Sequence, residues 1–74
     1  MNNAERCRQN GWSQGTRLVG DEGYGPTVIE LTAIGERIVL AKMISHNGAE
    51  ETEPYEKVWT LQLRNWKELN HASI

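Results

Sequence analysis

The sequence predicts an all-β fold, a small SH3-like barrel of four to five short strands with a short C-terminal helical or 3-10 turn. Three observations predict it. β-Branched and aliphatic residues gather in short runs at residues 16–19, 27–34, 37–43 and 58–63, bounded by glycine, proline and Asn-Gly signals. The two central runs carry apolar residues on both faces, and a flat sheet would leave one of those faces wet, so the sheet is expected to curve and close on itself. A chain of 74 residues makes one domain near the lower size limit, with no room for a deep cavity. An OB-like barrel is the nearest rival and ordinarily needs more residues.

Residues 1–10 are polar and read as a flexible N-terminal tail or a short helix, with Asn2 and Glu5 as a capping pair and Gly11 as the stop. Such a helix is marginal on its own. The domain boundary is therefore expected near Gly11, with the barrel over residues 11–69 and a frayed tail at 70–74. The run at 16–19 is the first strand candidate, ended by Gly20. Residues 20–27, Gly-Asp-Glu-Gly-Tyr-Gly-Pro-Thr, then hold three glycines, a proline and an acidic pair within eight positions, a shaped loop that presents Asp21, Glu22 and Tyr24.

The strand at 27–34 is expected to place Ile29, Leu31 and Ala33 on one face and Val28, Glu30, Thr32 and Ile34 on the other. Gly35 and Glu36 permit a tight hairpin into 37–43, where Ile38 and Leu40 oppose Val39, Ala41 and Met43. Asn47-Gly48 suits a type I′ turn, since both central residues of that turn need positive φ. Residues 47–56 read as an extended loop, and the run at 58–63 alternates with Trp59, Leu61 and Leu63 inward. Leu63, Trp66 and Leu69 recur every third residue, the spacing of a helical or 3-10 turn packed on the barrel end.

With hydrophobic residues at 38% and no phenylalanine, the core must rest on aliphatic residues and on Trp12, Trp59 and Trp66. Each large aromatic can bury roughly 150–250 Å². Cys7 is the single cysteine, which rules out an internal disulfide and favours a reducing compartment. No apolar run nears the roughly 18–20 residues that span a bilayer, and the N-terminus lacks the apolar stretch of a signal peptide, so a cytoplasmic protein with no membrane partner is expected. A net charge of −2 gives no general attraction to phosphate backbones or anionic lipid. Acid is instead concentrated at Glu50, Glu51, Glu53 and Glu56, in a stretch free of Lys and Arg.

Residues that carry chemistry are scattered. Cys7, His46 and His71 fall in a tail, a turn and the other tail, without the spacing of metal ligands. Ser13, Ser45 and Ser73 have no nucleophile-elbow context, and Cys7 falls in a segment expected to be mobile. The glycine loop carries acid, lacks a following Lys-Ser/Thr and leads into a strand, which excludes a phosphate-binding P-loop. No catalytic residue, metal or cofactor is therefore assigned, and the protein is expected not to be an enzyme. Aromatic residues in a polar rim are, by contrast, the composition of a protein-binding hot spot. Tyr24 and Tyr55 sit in loops rimmed by Asp21, Glu22, Glu51 and Glu53, and Arg64 with Trp66 follows near the C-terminus. Asp21, Glu22, Tyr24, Tyr55, Arg64 and Trp66 are the partner-binding candidates. The alternative is nucleic-acid binding through Tyr24, Trp66, Arg64 and Lys67 as aromatic and basic contacts, or nucleotide binding with Arg17, Arg37 or Arg64 facing phosphate and Tyr24 stacking. Self-association into a homodimer through an exposed strand edge is a third expectation.

The run Gly-Asp-Glu-Gly-Tyr-Gly-Pro-Thr, followed by Thr32-Ala-Ile-Gly35, Leu40-Ala41, Trp59-Thr-Leu and Arg64-Asn-Trp66, resembles a group of small uncharacterised bacteriophage proteins over residues 12–69. The resemblance implies a phage or prophage accessory protein acting inside the host bacterial cell, and by analogy a small binder of a host or phage protein.

Overall fold

The computed structural model describes residues 2–21, 25–61 and 66–69. One helix, α1 (Asn3–Asn10), precedes six strands: β1 (Arg17–Asp21), β2 (Pro26–Ile34), β3 (Val39–His46), β4 (Ala49–Glu50), β5 (Glu56–Trp59) and β6 (Lys67–Glu68). They form one antiparallel sheet in the order β4-β3-β2-β1-β6, with β5 also paired to β3. The fold is mostly β, as expected, but among the described residues the sheet is not closed into a barrel: β5 and β6 lie at opposite edges without pairing.

The N-terminal decade is a helix for the reasons its sequence offers. Asn2 Oδ1 accepts from the Glu5 amide at 2.8 Å, and Glu5 Oε1 accepts from the Asn2 amide at 3.2 Å, completing a capping box. Gly11, at φ 75°, ends the helix in the left-handed region. Ala4 and Cys7 are fully buried in the same core as Leu18, Ile29, Leu31, Val39, Ala41 and Leu61, so the helix is an integral wall and not a mobile tail. Its two buried side chains lie three positions apart, enough to present one narrow face to the sheet.

The helix docks where β2 turns into β3. The Ala4 amide donates to the Arg37 carbonyl at 3.3 Å, and the Arg8 guanidinium donates to the carbonyls of Gly35 and Glu36 at 3.0 and 3.2 Å. Asn3 ties the same end to the chain after β5, its Nδ2 donating to the Trp59 carbonyl at 3.4 Å and its Oδ1 accepting from the Leu61 amide at 3.0 Å.

The central β2–β3 pair carries two bulges, which bend the sheet. One falls between Leu31 and Ala33, where Thr32 is the extra residue; the other falls opposite Val28 and Ile29, where Ile44 is extra. The first changes the phase of β2. Thr27, Ile29 and Leu31 point to the core, but beyond Thr32 it is Ile34, opposite buried Val39, that packs against the core. The expected facing of Ala33 and Ile34 is thus exchanged, because strict alternation assumes that no residue has been inserted.

Three further corrections concern the ends of elements. Within residues 47–56, Ala49 and Glu50 pair with His46 and Ser45, directly after the turn at Asn47 (φ 53°) and Gly48 (φ 85°). The fifth strand begins at Glu56, two residues before the expected start, and stops at Trp59. Lys67 and Glu68 are a strand on β1 and not part of a helical turn: they pair with Val19 and Leu18, and the Leu69 amide donates to the Arg17 carbonyl at 2.8 Å. The open edge of β1 supplies those hydrogen bonds, and a three-residue apolar spacing carries no information about such a distant partner. Leu63, at the head of that spacing, lies outside the described residues.

Candidate functional site

The helix and the 35–38 turn occupy one end of the sheet, and the connections after β1 and β3 occupy the other. β1 and β2 are paired as far as Asp21 and Pro26, so part of the expected glycine loop is strand. Gly25 adopts φ 105° and lies directly against Asn47; a Cβ there would overlap the Asn47 side chain. The Asn47 amide donates to the Pro26 carbonyl at 2.6 Å, and Thr27 Oγ1 and His46 Nδ1 are hydrogen-bonded at 2.8 Å. These contacts hold Gly25, Pro26 and Thr27 beside the Asn47-Gly48 turn that leads into the acidic segment. Two loops far apart in sequence share one end of the molecule.

Two depressions mark the surface. The larger, about 320 Å³, is lined by Val19, Gly20, Asp21 and Lys67. Gly20 is buried, and a Cβ on it would come within 2.7 Å of the Trp66 ring, so the missing side chain is what lets the indole lie on the strand. Trp66 also packs edge-to-face on Trp59, with centroids 6.4 Å apart and planes at 78°. At 7% exposure it acts from the core, fixing the backbone from which exposed Lys67 projects beside Asp21.

The smaller depression, about 100 Å³, is lined by Met43, Glu51, Pro54, Tyr55 and Lys57. Tyr55 is 68% exposed. Lys57 Nζ lies 4.8 Å from the Trp59 ring centroid and 5.8 Å from that of Tyr55, so its charge bridges the two aromatic faces. Glu22, Tyr24 and Arg64 lie outside the described residues. Of the remaining candidates, Asp21 lines the larger depression, Trp66 packs in the core against Gly20, and Tyr55 stands at the smaller depression. Sequence reasoning passes over Lys57, weighs His46 only as a metal ligand and places Met43 only on a strand face. The Tyr55-x-Lys57-x-Trp59 alternation is the available signal, hidden because the strand is expected to begin at Val58.

Among the described residues no three His, Cys, Asp or Glu side chains gather as metal ligands. The Cys7 thiol is buried, and that burial pushes its pKa up further than neighbouring Arg8 and Arg6 draw it down, so the thiolate that nucleophilic attack needs is disfavoured. No helix among the described residues is long and apolar enough to cross a membrane.

The sequence matches the family described as a domain of unknown function, DUF7241, over residues 1–71. The chain belongs to that family. The DUF7241 match takes in α1 together with the whole sheet, the unit that shares one core. No curated protein and no solved structure matches.

Proposed function

We propose that this DUF7241 domain is a non-catalytic binding module that grips a protein partner with the end of the sheet where the glycine loop and the acidic segment meet. One observation carries the reading: Gly25 packs on Asn47, which brings the Asp21 end of the β1–β2 pair beside the turn that leads on to Glu51. A tyrosine 68% exposed next to Met43 and Pro54, rimmed by charge, has the makeup of an interface anchor. In finer detail we read the sheet as an SH3-like barrel left open between β5 and β6, since the Trp59–Trp66 contact draws those two edges toward each other. The resemblance to small bacteriophage proteins supports an accessory role in the cytoplasm of a host bacterium, with a host or phage protein as partner and the mechanism being occlusion of that partner's surface.

The test is a tagged pull-down from nuclease-treated bacterial lysate, comparing the native chain with Tyr55→Ala and Tyr24→Ala. A protein retained by the native chain and lost with either tyrosine is the expected result. Retention by both variants overturns the loop-end assignment. Recovery only in untreated lysate overturns the protein partner in favour of nucleic acid, with Arg64 and Lys67 as the next residues to change.

A further inference from the structure

A second surface, distinct from the loop end, lies on the face of the sheet turned away from the core. Four charged residues stand in register across four strands: Arg17 on β1 opposite Glu30 on β2, Glu30 opposite Lys42 on β3, and Lys42 opposite Glu56 on β5. Their signs alternate, plus, minus, plus, minus. Within the chain, Arg17 Nε lies 3.1 Å from Glu30 Oε1 and Lys42 Nζ 3.8 Å from Glu30 Oε2. Beside this row runs an apolar one, in which Ala33 pairs with Leu40 and Leu40 with Val58. Ile38 and Val58 are 52% and 57% exposed, an apolar surface that the helix and the loops leave uncovered.

We propose that this face binds a second copy of the chain, as a two-fold dimer whose axis runs parallel to the strands. Such a rotation reverses the order of the strands and keeps their direction, so the charged row meets itself reversed. Arg17 then faces Glu56 of the other copy, and Glu30 faces Lys42. An alternating row with an even number of charges is complementary to its own reversal, whereas a row of one sign or an odd number would repel itself. The same rotation lays Leu40 over Ala33, apolar on apolar. An isologous interface requires this self-complementarity. Because strand direction is kept, both loop-bearing ends point the same way, and the dimer offers a partner two equivalent sites. Charge pairs carry much of this contact, so the association is salt-sensitive.

Sedimentation equilibrium from micromolar to millimolar protein tests it with two opposite charge reversals. Arg17→Glu sets a carboxylate against Glu56 of its mate, and Glu56→Arg sets a guanidinium against Arg17 of its mate. Each variant alone should dimerise at least about tenfold more weakly than the native chain, since like charges face each other across the contact. An equimolar mixture should regain the dimer mass, because the two variants complement each other. A native chain that stays monomeric throughout, variants that dimerise like the native chain, or a mixture of folded variants that fails to associate would each overturn the proposal. An independent measurement on the unmodified chain covers variants that fold poorly. Amide resonances that shift with protein concentration should cluster at residues 30, 33, 40 and 42, and shifts confined to the loop end or to the β6 edge reject this face.

Discussion

Gly20 illustrates how much of this fold turns on a single missing side chain. Its burial, and the 2.7–3.0 Å that would separate a Cβ from three Trp66 ring atoms, mean that an alanine there must push the indole out of the core. Overpacking of this kind costs about 1–3 kcal/mol. Gly20→Ala should lower stability by that amount in a urea titration followed by tryptophan fluorescence, with the emission shifted as Trp66 moves toward solvent. An unchanged midpoint would show that the ring relaxes freely. In the sequence Gly20 reads as the first member of a glycine loop, yet it is a strand residue whose neighbour is brought in by β6. A glycine kept for a close approach looks the same in sequence as one kept for a turn.

At the level of elements, local signals are legible and distant ones are not. Asn2, Glu5 and Gly11 mark both ends of α1, and the Asn47-Gly48 turn adopts the positive φ values its residues suggest. The phase change in β2 is hidden because Thr32 is an ordinary strand residue, extra only by reference to β3. How α1 is fixed to the sheet is equally invisible. Asn3 acts as a short piece of strand, donating to the Trp59 carbonyl and accepting from the Leu61 amide, although the residues lie at opposite ends of the sequence. Asn3→Ala removes both bonds and leaves the amide of fully buried Leu61 without that acceptor, a loss of about 1–3 kcal/mol. Asn3→Asp keeps only the acceptor and should fall between alanine and the native chain. Hydrogen exchange at the Leu61 amide offers the most local reading, fast in the alanine variant and slowed in the aspartate one; equal exchange in all three would remove Asn3 from this role.

For the molecule as a whole, the decisive question is whether the sheet is a domain without its helix. The sequence suggests that it is, because residues 1–10 contain so little apolar material, and a polar decade before a tryptophan resembles a tail. The helix, however, shares one core with the sheet. A chain this small buries a modest share of its surface, so each core residue counts for more than it would in a larger domain. Ala4 and Cys7 are both fully buried among the sheet residues, and the helix also satisfies carbonyls at the 35–37 turn and at Trp59. Removing residues 1–10 would therefore take Ala4 and Cys7 out of the shared core and strip hydrogen-bond donors from the turn in one step. The shortened chain should lose its cooperative thermal transition and its dispersed amide spectrum, while the full chain keeps both. Adding the missing decade as a separate peptide should not restore them at ordinary concentrations, because a short helix is marginal once detached and must be ordered again at the cost of association. A shortened chain that melts cooperatively near the native temperature would instead make α1 an accessory wall, and would return the domain boundary to Gly11.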